Sequence, residues 1–150
     1  MHPWHEVGSG VFVRRYPFLD QTIGAIVGRE RVLVIDTRST SVQARELIED
    51  LHQLTRLPWV VANTHVHFDH AFGNAAFRPC EIWSHAGCAE ALRLHGPAQR
   101  ENVVRWVPDL ADELEVDWPS VRISHVDTDP KWGTMVTGGS WSVWQSFPVY

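Results

Sequence analysis

Long apolar runs, basic clusters and a cysteine pattern are all missing from this chain of 150 residues. Because no apolar run approaches the length that crosses a bilayer, no membrane span is expected. A formal net charge of -5 without a basic run argues against nucleic acid as a partner. The first residues lack both the basic and the apolar segment of a secretory leader. We therefore expect a cytoplasmic protein.

Cysteine is also too scarce and too widely spaced to define a framework. The two cysteines, Cys80 and Cys88, are separated by eight positions, which excludes a CxxC metal or redox site. Two reduced thiols are the expectation for a cytoplasmic chain, and a single disulfide is the alternative.

Charge is absent from the end of the chain. Lysine occurs once, at Lys131, and residues 132–150 carry no charged side chain although three of the eight tryptophans lie there. This change of composition favours a frameshifted or truncated reading frame, and the alternative is a genuine terminal hairpin, since WSVWQSF alternates like a strand. We divide the chain into a domain over residues 1–126 and an atypical Trp/Gly-rich tail over residues 127–150. An exposed aromatic tail would favour self-association.

Histidine, by contrast, is concentrated in one segment. Residues 64–74 read THVHFDHAFGN, in which three imidazoles and one carboxylate occupy six positions: His65, His67, Asp69 and His70. If His65 and His67 continue an extended segment, both side chains lie on the same face and can bind one Zn²⁺. If the chain then bends, Asp69 and His70 can reach a second metal about 3.5 to 4 Å away. The alternative is a His-rich surface loop without a fixed metal.

A strand–helix–strand pattern precedes these histidines. Short apolar runs at residues 32–36 and 59–63 predict buried strands, and apolar residues at helical spacing predict a helix over residues 41–56. Such a unit has parallel strands, and open α/β sheets bind ligands at the carboxyl ends of their strands, where the histidines begin. Further elements are expected on both sides: strands near residues 11–15 and 22–27, and short helices over residues 86–94 and 100–107.

These features together resemble the N-terminal half of a metallo-β-lactamase fold hydrolase. The resemblance runs from about residue 5 to residue 125 and includes the early hairpin, the strand that ends at Asp36, and the HxHxDH motif with Gly73 after it. It implies an α/β fold, namely one half of an αββα sandwich with a mixed β-sheet. The motif is highly specific for the superfamily but carries little information on the substrate, since lactonases, thioesterases and β-lactamases share it.

The resemblance also implies a role for each residue of the motif. His65 and His67 would bind the first zinc, and Asp69 and His70 would bind the second. Asp69 would in addition orient the attacking hydroxide, which makes it the candidate catalytic residue. Asp36 matches the acid of the family's DTG turn, whereas Arg38 stands where the family has glycine.

Three later ligands of the family pattern are not recognisable in this chain. They are a histidine in a GHT-like string, an aspartate in a GD string and a last histidine. His85 and His95 flank a helix-like stretch and are more typical of capping or surface positions. His125 is the late candidate for ligation, with Asp127 or Asp129 as oxygen donors.

Two functions therefore remain open. The first is a zinc-dependent hydrolase in which metal-bound hydroxide attacks a small-molecule ester, thioester, lactone or lactam, with one or two Zn²⁺ as cofactor. The second is a non-catalytic metal-binding fragment or pseudoenzyme, which keeps the first ligands but completes neither coordination sphere.

Overall fold

The computed structural model describes residues 3–111, 113, 114 and the backbone of residues 123–126, so the tail over residues 127–150 lies outside the described residues. In this part of the chain, seven strands form one sheet in their sequence order. The strands and helices are β1 (His5–Gly8), β2 (Val11–Tyr16), β3 (Gln21–Val27), β4 (Val32–Ile35), α1 (Ser41–Leu51), β5 (Trp59–Ala62), α2 (Phe68–Ala71), β6 (Ile82–His85), α3 (Ala86–Trp106) and β7 (Ile123–Val126).

The sheet changes from antiparallel to parallel pairing at β4. The pairs from β1 to β4 are antiparallel, whereas β4 with β5, β5 with β6 and β6 with β7 are parallel. The carboxyl ends of β4, β5 and β6 therefore lie at one edge of the sheet. The predicted α/β fold with a mixed sheet is confirmed.

One face of the sheet packs against α1. Val32 and Val34 of β4 are fully buried, as are Ala44, Leu47 and Leu51 of α1, and they share one hydrophobic core. Burying a side chain of this size stabilises the fold by about 1.5–3 kcal/mol. This core holds α1 against β4 and so fixes the short connection between them.

A second core lies between α3 and the segment that carries the histidines. Its buried members are Ala71, Phe72, Cys88, Leu92, Val103, Leu110 and Leu114. This core holds α2 against α3. No helix in the described part of the chain is long and apolar enough to cross a membrane.

The four predicted strands are confirmed to within one residue, but the helices differ from expectation. The helix predicted over residues 41–56 ends at Leu51, and a turn follows in which Leu54 N–H donates to Leu51 O at 2.9 Å. The two helices predicted over residues 86–94 and 100–107 are one helix, α3, which continues through Pro97. A proline inside a helix costs about 3 kcal/mol. Burial of Leu92 before it and of Val103 after it offsets that cost.

Gly73 allows the motif segment, residues 64–74, to lie directly on the connection between β4 and α1. A Cβ atom at this position would lie 2.0 Å from the carbonyl oxygen of Thr37 and 2.7 Å from Cβ of Ala44. The backbone N–H of Gly73 donates to the carbonyl of Arg38 at 3.1 Å. Any larger residue would force these two segments apart.

We expect Gly73→Ala to lower the free energy of unfolding by at least about 1–3 kcal/mol, because the added methyl group meets backbone atoms that cannot rotate away. Urea denaturation measures the change. Gly8→Ala is the matched control, since its Cβ would lie 3.7 Å from the nearest atom, on Val11, and should change the stability little. Equal losses in the two variants would contradict the close approach at Gly73.

Candidate metal centre

The motif segment follows β5 at the carboxyl edge of the parallel strands, as the sequence predicted. His65 and His67 lie in the loop after β5, and Asp69 and His70 lie in α2. The loop begins at Thr64, whose backbone N–H and hydroxyl each donate to the carboxylate of Asp36 at 2.8 Å. Asp36 directly follows β4, so one carboxylate holds the loop to the end of the neighbouring strand.

The four side chains of the motif are adjacent but form two pairs. Nε2 of His65 lies 3.0 Å from Nδ1 of His67, and Nε2 of His70 lies 3.2 Å from Oδ2 of Asp69. The rings of His65 and His70 join the pairs, with centroids 4.1 Å apart. Within the described residues, no group of three or more His, Cys, Asp or Glu side chains is arranged to hold a metal ion.

The donor atoms of each pair nevertheless suit zinc. Two ligands at about 2.0–2.1 Å from a tetrahedral zinc ion are about 3.3 Å apart, close to the separations in both pairs. Imidazole nitrogen and carboxylate oxygen are both ordinary zinc ligands. Each pair therefore fits as two of the four ligands that a zinc ion requires.

A buried carboxylate orients His70. Nδ1 of His70 lies 2.7 Å from Oδ2 of Asp36, whose side chain is only 4% exposed. Because Nδ1 is engaged in this way, Nε2 is the nitrogen left for a ligand, an arrangement common among metal-binding histidines. Burial lowers the pKa of His70, but the hydrogen bonds to Asp36 and Asp69 outweigh it and raise the pKa to about 9. A metal ion would have to displace this proton.

The charge states of His65 and Asp69 favour metal binding. Burial, followed by the charges of His70 and His67, lowers the pKa of His65 and so favours the neutral imidazole. Burial tends to raise the pKa of Asp69, but the hydrogen bond and charge of His70 outweigh it and lower the pKa. The group thus contains a neutral nitrogen ligand and an ionised carboxylate.

The turn after β4 has a left-handed backbone at Asp36 and Arg38, although the resemblance places glycine at position 38. The φ angles of Asp36 and Arg38 are 66° and 70°, a region that glycine enters at little cost and other residues rarely adopt. The buried guanidinium of Arg38 lies 3.8 Å above the ring of Tyr16 and donates to the carbonyl of Gln43 at 3.0 Å. These contacts offset the cost of the backbone conformation.

Four buried polar residues that the sequence analysis missed hold the backbone of α2. The side chain of Gln21 donates to the carbonyl of Asp69 at 2.8 Å. The carbonyl of His70 accepts from Asn63 Nδ2 at 3.1 Å and from the backbone N–H of Thr37 at 2.9 Å. Asn74 completes the network through its amide, which donates to Asn63 Oδ1 at 2.8 Å. The sequence could have indicated Thr37 and Asn63, because both are polar residues that follow a buried strand within two positions. No sequence pattern distinguishes Gln21 or Asn74.

Two cavities lined by described residues adjoin the motif. The first, of about 450 Å³, is lined by His65, by His85 at the end of β6 and by Cys88 near the start of α3. The second, of about 330 Å³, includes Asp69 and residues at the end of α3. A cavity of about 490 Å³ between β2 and α1 is larger, but none of its lining residues belongs to the motif. It is therefore not part of this site.

The three histidines that follow the motif in sequence are placed as follows. His85 caps α3, because its Nδ1 accepts from the backbone N–H of Gly87 at 3.1 Å, which confirms the predicted capping position. His95 is exposed on α3. The side chain of His125 lies outside the described residues, as do Asp127 and Asp129.

Comparison with known families decides the fold family. Residues 16–147 match the sequence model of the metallo-beta-lactamase superfamily. The chain belongs to this superfamily. The match extends to residue 147, beyond residue 125 where the resemblance had been expected to end.

Solved structures of other proteins share the fold with this chain. The sec-alkylsulfatase Pisa1 from Pseudomonas sp. matches with a TM-score of 0.55 and 21% identity over 67% of this chain and 17% of its own. A metallo-beta-lactamase from Hirschia baltica matches with a TM-score of 0.53 and 17% identity over 63% of this chain and 48% of its own. The chain thus spans less than half of each of these hydrolases, and at such identities the likeness establishes the fold alone.

A short segment resembles a different kind of protein. Over 41 residues the chain is 68% identical to a membrane-bound aldehyde dehydrogenase (pyrroloquinoline-quinone) of Gluconacetobacter polyoxogenes, which is 27% of this chain and 5% of the dehydrogenase. Because so little of the dehydrogenase is matched, its activity does not carry over to this chain.

We expect Asp36→Asn to lower the free energy of unfolding by about 1.5–3 kcal/mol, because hydrogen bonds to a buried charge are lost. Asparagine tolerates the left-handed backbone at this position, so the change removes the charge without adding strain. The pKa of His70, followed by NMR titration of the metal-free chain, should fall below about 9.

Asp20→Asn is the matched control for this change. Asp20 also has a positive φ, of 54°, and its carboxylate also pairs with a cation, Arg15, but both side chains are exposed. The control should leave the stability and the pKa of His70 nearly unchanged. An unchanged His70 pKa in Asp36→Asn would refute the role of Asp36 in orienting that ring.

Proposed function

We propose that this chain provides the first half of the metal centre of a zinc-dependent hydrolase. The supporting observation is the pairing of donor atoms at the carboxyl edge of the sheet. His65 and His67 would hold one zinc ion, and Asp69 and His70 would hold the other.

Zinc, when bound, would lower the pKa of a water molecule to about 7 and polarise the substrate oxygen. The chain's own residues do the remaining work at this site. The ionised carboxylate of Asp69 accepts a hydrogen bond from the attacking water and so orients it. Asp36 holds the ring of His70 so that Nε2 is directed toward Asp69. The corresponding substrates are small-molecule esters, thioesters, lactones or lactams.

A second candidate function is a non-catalytic metal-binding fragment. The observation that favours it is the lack, within the described residues, of any group of three metal-ligating side chains. Two ligands per metal leave each coordination sphere open to water, which weakens binding and disorders the reacting groups. Further ligands would have to come from His125, from Asp127 or Asp129, or from a second chain.

Zinc binding tests the assignment of the motif. We expect equilibrium dialysis to detect zinc bound more weakly than in a complete site, because each metal has only two recognisable protein ligands. His67→Ala should weaken binding further, whereas His95→Ala, which removes an exposed histidine from α3, should not. No binding in excess zinc would refute the metal centre, and two tightly held ions per chain would refute the incomplete site.

Turnover separates the two candidate functions. With added zinc, we expect little hydrolysis in a screen of esters, thioesters, lactones and lactams, since catalysis requires completed coordination spheres. His67→Ala serves as the control for contaminating activity. Turnover far above background that disappears in His67→Ala would reject the fragment and favour an enzyme completed by ligands from outside the described residues.

A further inference from the structure

An apolar groove adjoins the candidate metal centre. It has a volume of about 330 Å³ and is lined by Leu19, Phe68, Asp69, Val103, Trp106 and Val107. Asp69 is the polar member of this set and also belongs to the metal motif. The groove therefore begins at the motif and extends from it along apolar side chains.

Two walls of the groove are formed by exposed apolar side chains. The side chain of Trp106 is 78% exposed, and that of Leu19 is 53% exposed. Leu19 also has a φ of 51°, in the left-handed region that a leucine rarely adopts. Backbone strain of this kind is retained mainly where function requires it, and exposed apolar residues around a concavity mark binding sites.

The floor of the groove packs against the second core. Val103 is only 3% exposed and belongs to the second core. The ring of Phe68 packs edge-on against the buried ring of Phe72, with centroids 6.0 Å apart. The groove therefore has its shape before a ligand binds, which reduces the cost of binding.

We propose that this groove binds the alkyl or acyl chain of an amphiphilic substrate whose hydrolysable group lies at Asp69. The position of the hydrolysable group rests on the proposed function, whereas the affinity of the groove for an apolar chain does not. Continuity between the groove and the motif, through the adjacent residues Phe68 and Asp69, favours a substrate chain over a protein partner. A volume at the lower end of ligand pockets suits a chain of medium length.

A series of straight-chain hydroxamic acids, from acetohydroxamic to octanohydroxamic acid, tests the proposal on the zinc-loaded protein. We expect the Kd to fall about fourfold for each added methylene group until the groove is filled. Trp106→Ala should flatten this dependence while changing the Kd of acetohydroxamic acid little. Leu94→Ala is the matched control, because Leu94 is also an exposed apolar residue of α3 but lies outside the groove.

A second variant guards against an unfolded Trp106→Ala. Leu19→Asn places a residue that tolerates the left-handed backbone at this position and removes the apolar side chain from the wall. This variant should therefore also flatten the dependence on chain length. His67→Ala should weaken binding of every hydroxamic acid equally and leave that dependence in place. A series without chain-length dependence in the wild-type chain would overturn the proposal.

An NMR measurement on the zinc-free protein tests the groove independently of the metal centre. Octanoate, but not acetate, should shift the NMR signal of the Trp106 indole in the zinc-free protein. That shift in a chain that binds no zinc would support the groove while rejecting the proposed function. Concentration-dependent dimerisation that Trp106→Ala abolishes, without any response to octanoate, would overturn the proposal in favour of a groove that docks a second copy of the chain.

Discussion

The candidate site depends on the hydrogen bonds and the ion pair made by the carboxylate of Asp36. It accepts hydrogen bonds from the backbone and the hydroxyl of Thr64 and pairs with Nδ1 of His70. Its own backbone N–H donates to the carbonyl of Ala62 at 2.9 Å. One buried charge thus joins the end of β4, the end of β5 and the helix that carries two motif residues. A neutral side chain here would take away one of the two carboxylates that pair with His70, which would favour the neutral imidazole.

The site lies where apolar packing gives way to a layer of buried polar side chains. The motif must run through a tight loop and a four-residue helix, whose carbonyl groups have too few partners within the segment itself. Gln21, Asn63 and Thr37 supply those partners from β3, from behind β5 and from the turn after β4. An unpaired buried carbonyl would cost about 1–3 kcal/mol, so this layer stabilises the loop and sets the position of its histidines.

The charges and the groove together indicate what the site can select. In the proposed function, the polar pairs of the motif would hold a metal and a hydrolysable group, while the apolar walls formed by Leu19 and Trp106 would favour an uncharged part of the substrate. Binding energy from an apolar chain remote from the reacting group can position that group against Asp69. The chain spans less than half of each of the solved hydrolases compared with it.

Local patterns were enough to determine part of this protein. β-branched runs specified β4 and β5, helical spacing specified α1, and the HxHxDH string placed the histidines at the sheet edge. These features depend on neighbours in sequence, through the periods of strand and helix. The family resemblance also identified Asp36, but not that its carboxylate would bind His70, 34 positions away.

Tertiary structure alone decided the rest. α3 continues through Pro97 because the second core buries side chains on both sides of it, and no local pattern reports that gain. Arg38 can take a glycine's backbone conformation because Tyr16, distant in sequence, packs against its guanidinium. Trp106 lines the same groove as Asp69 because α3 packs against the motif segment. Each of these features is stabilised by contacts between segments that are far apart in the chain. The local sequence pattern carries no information about such contacts.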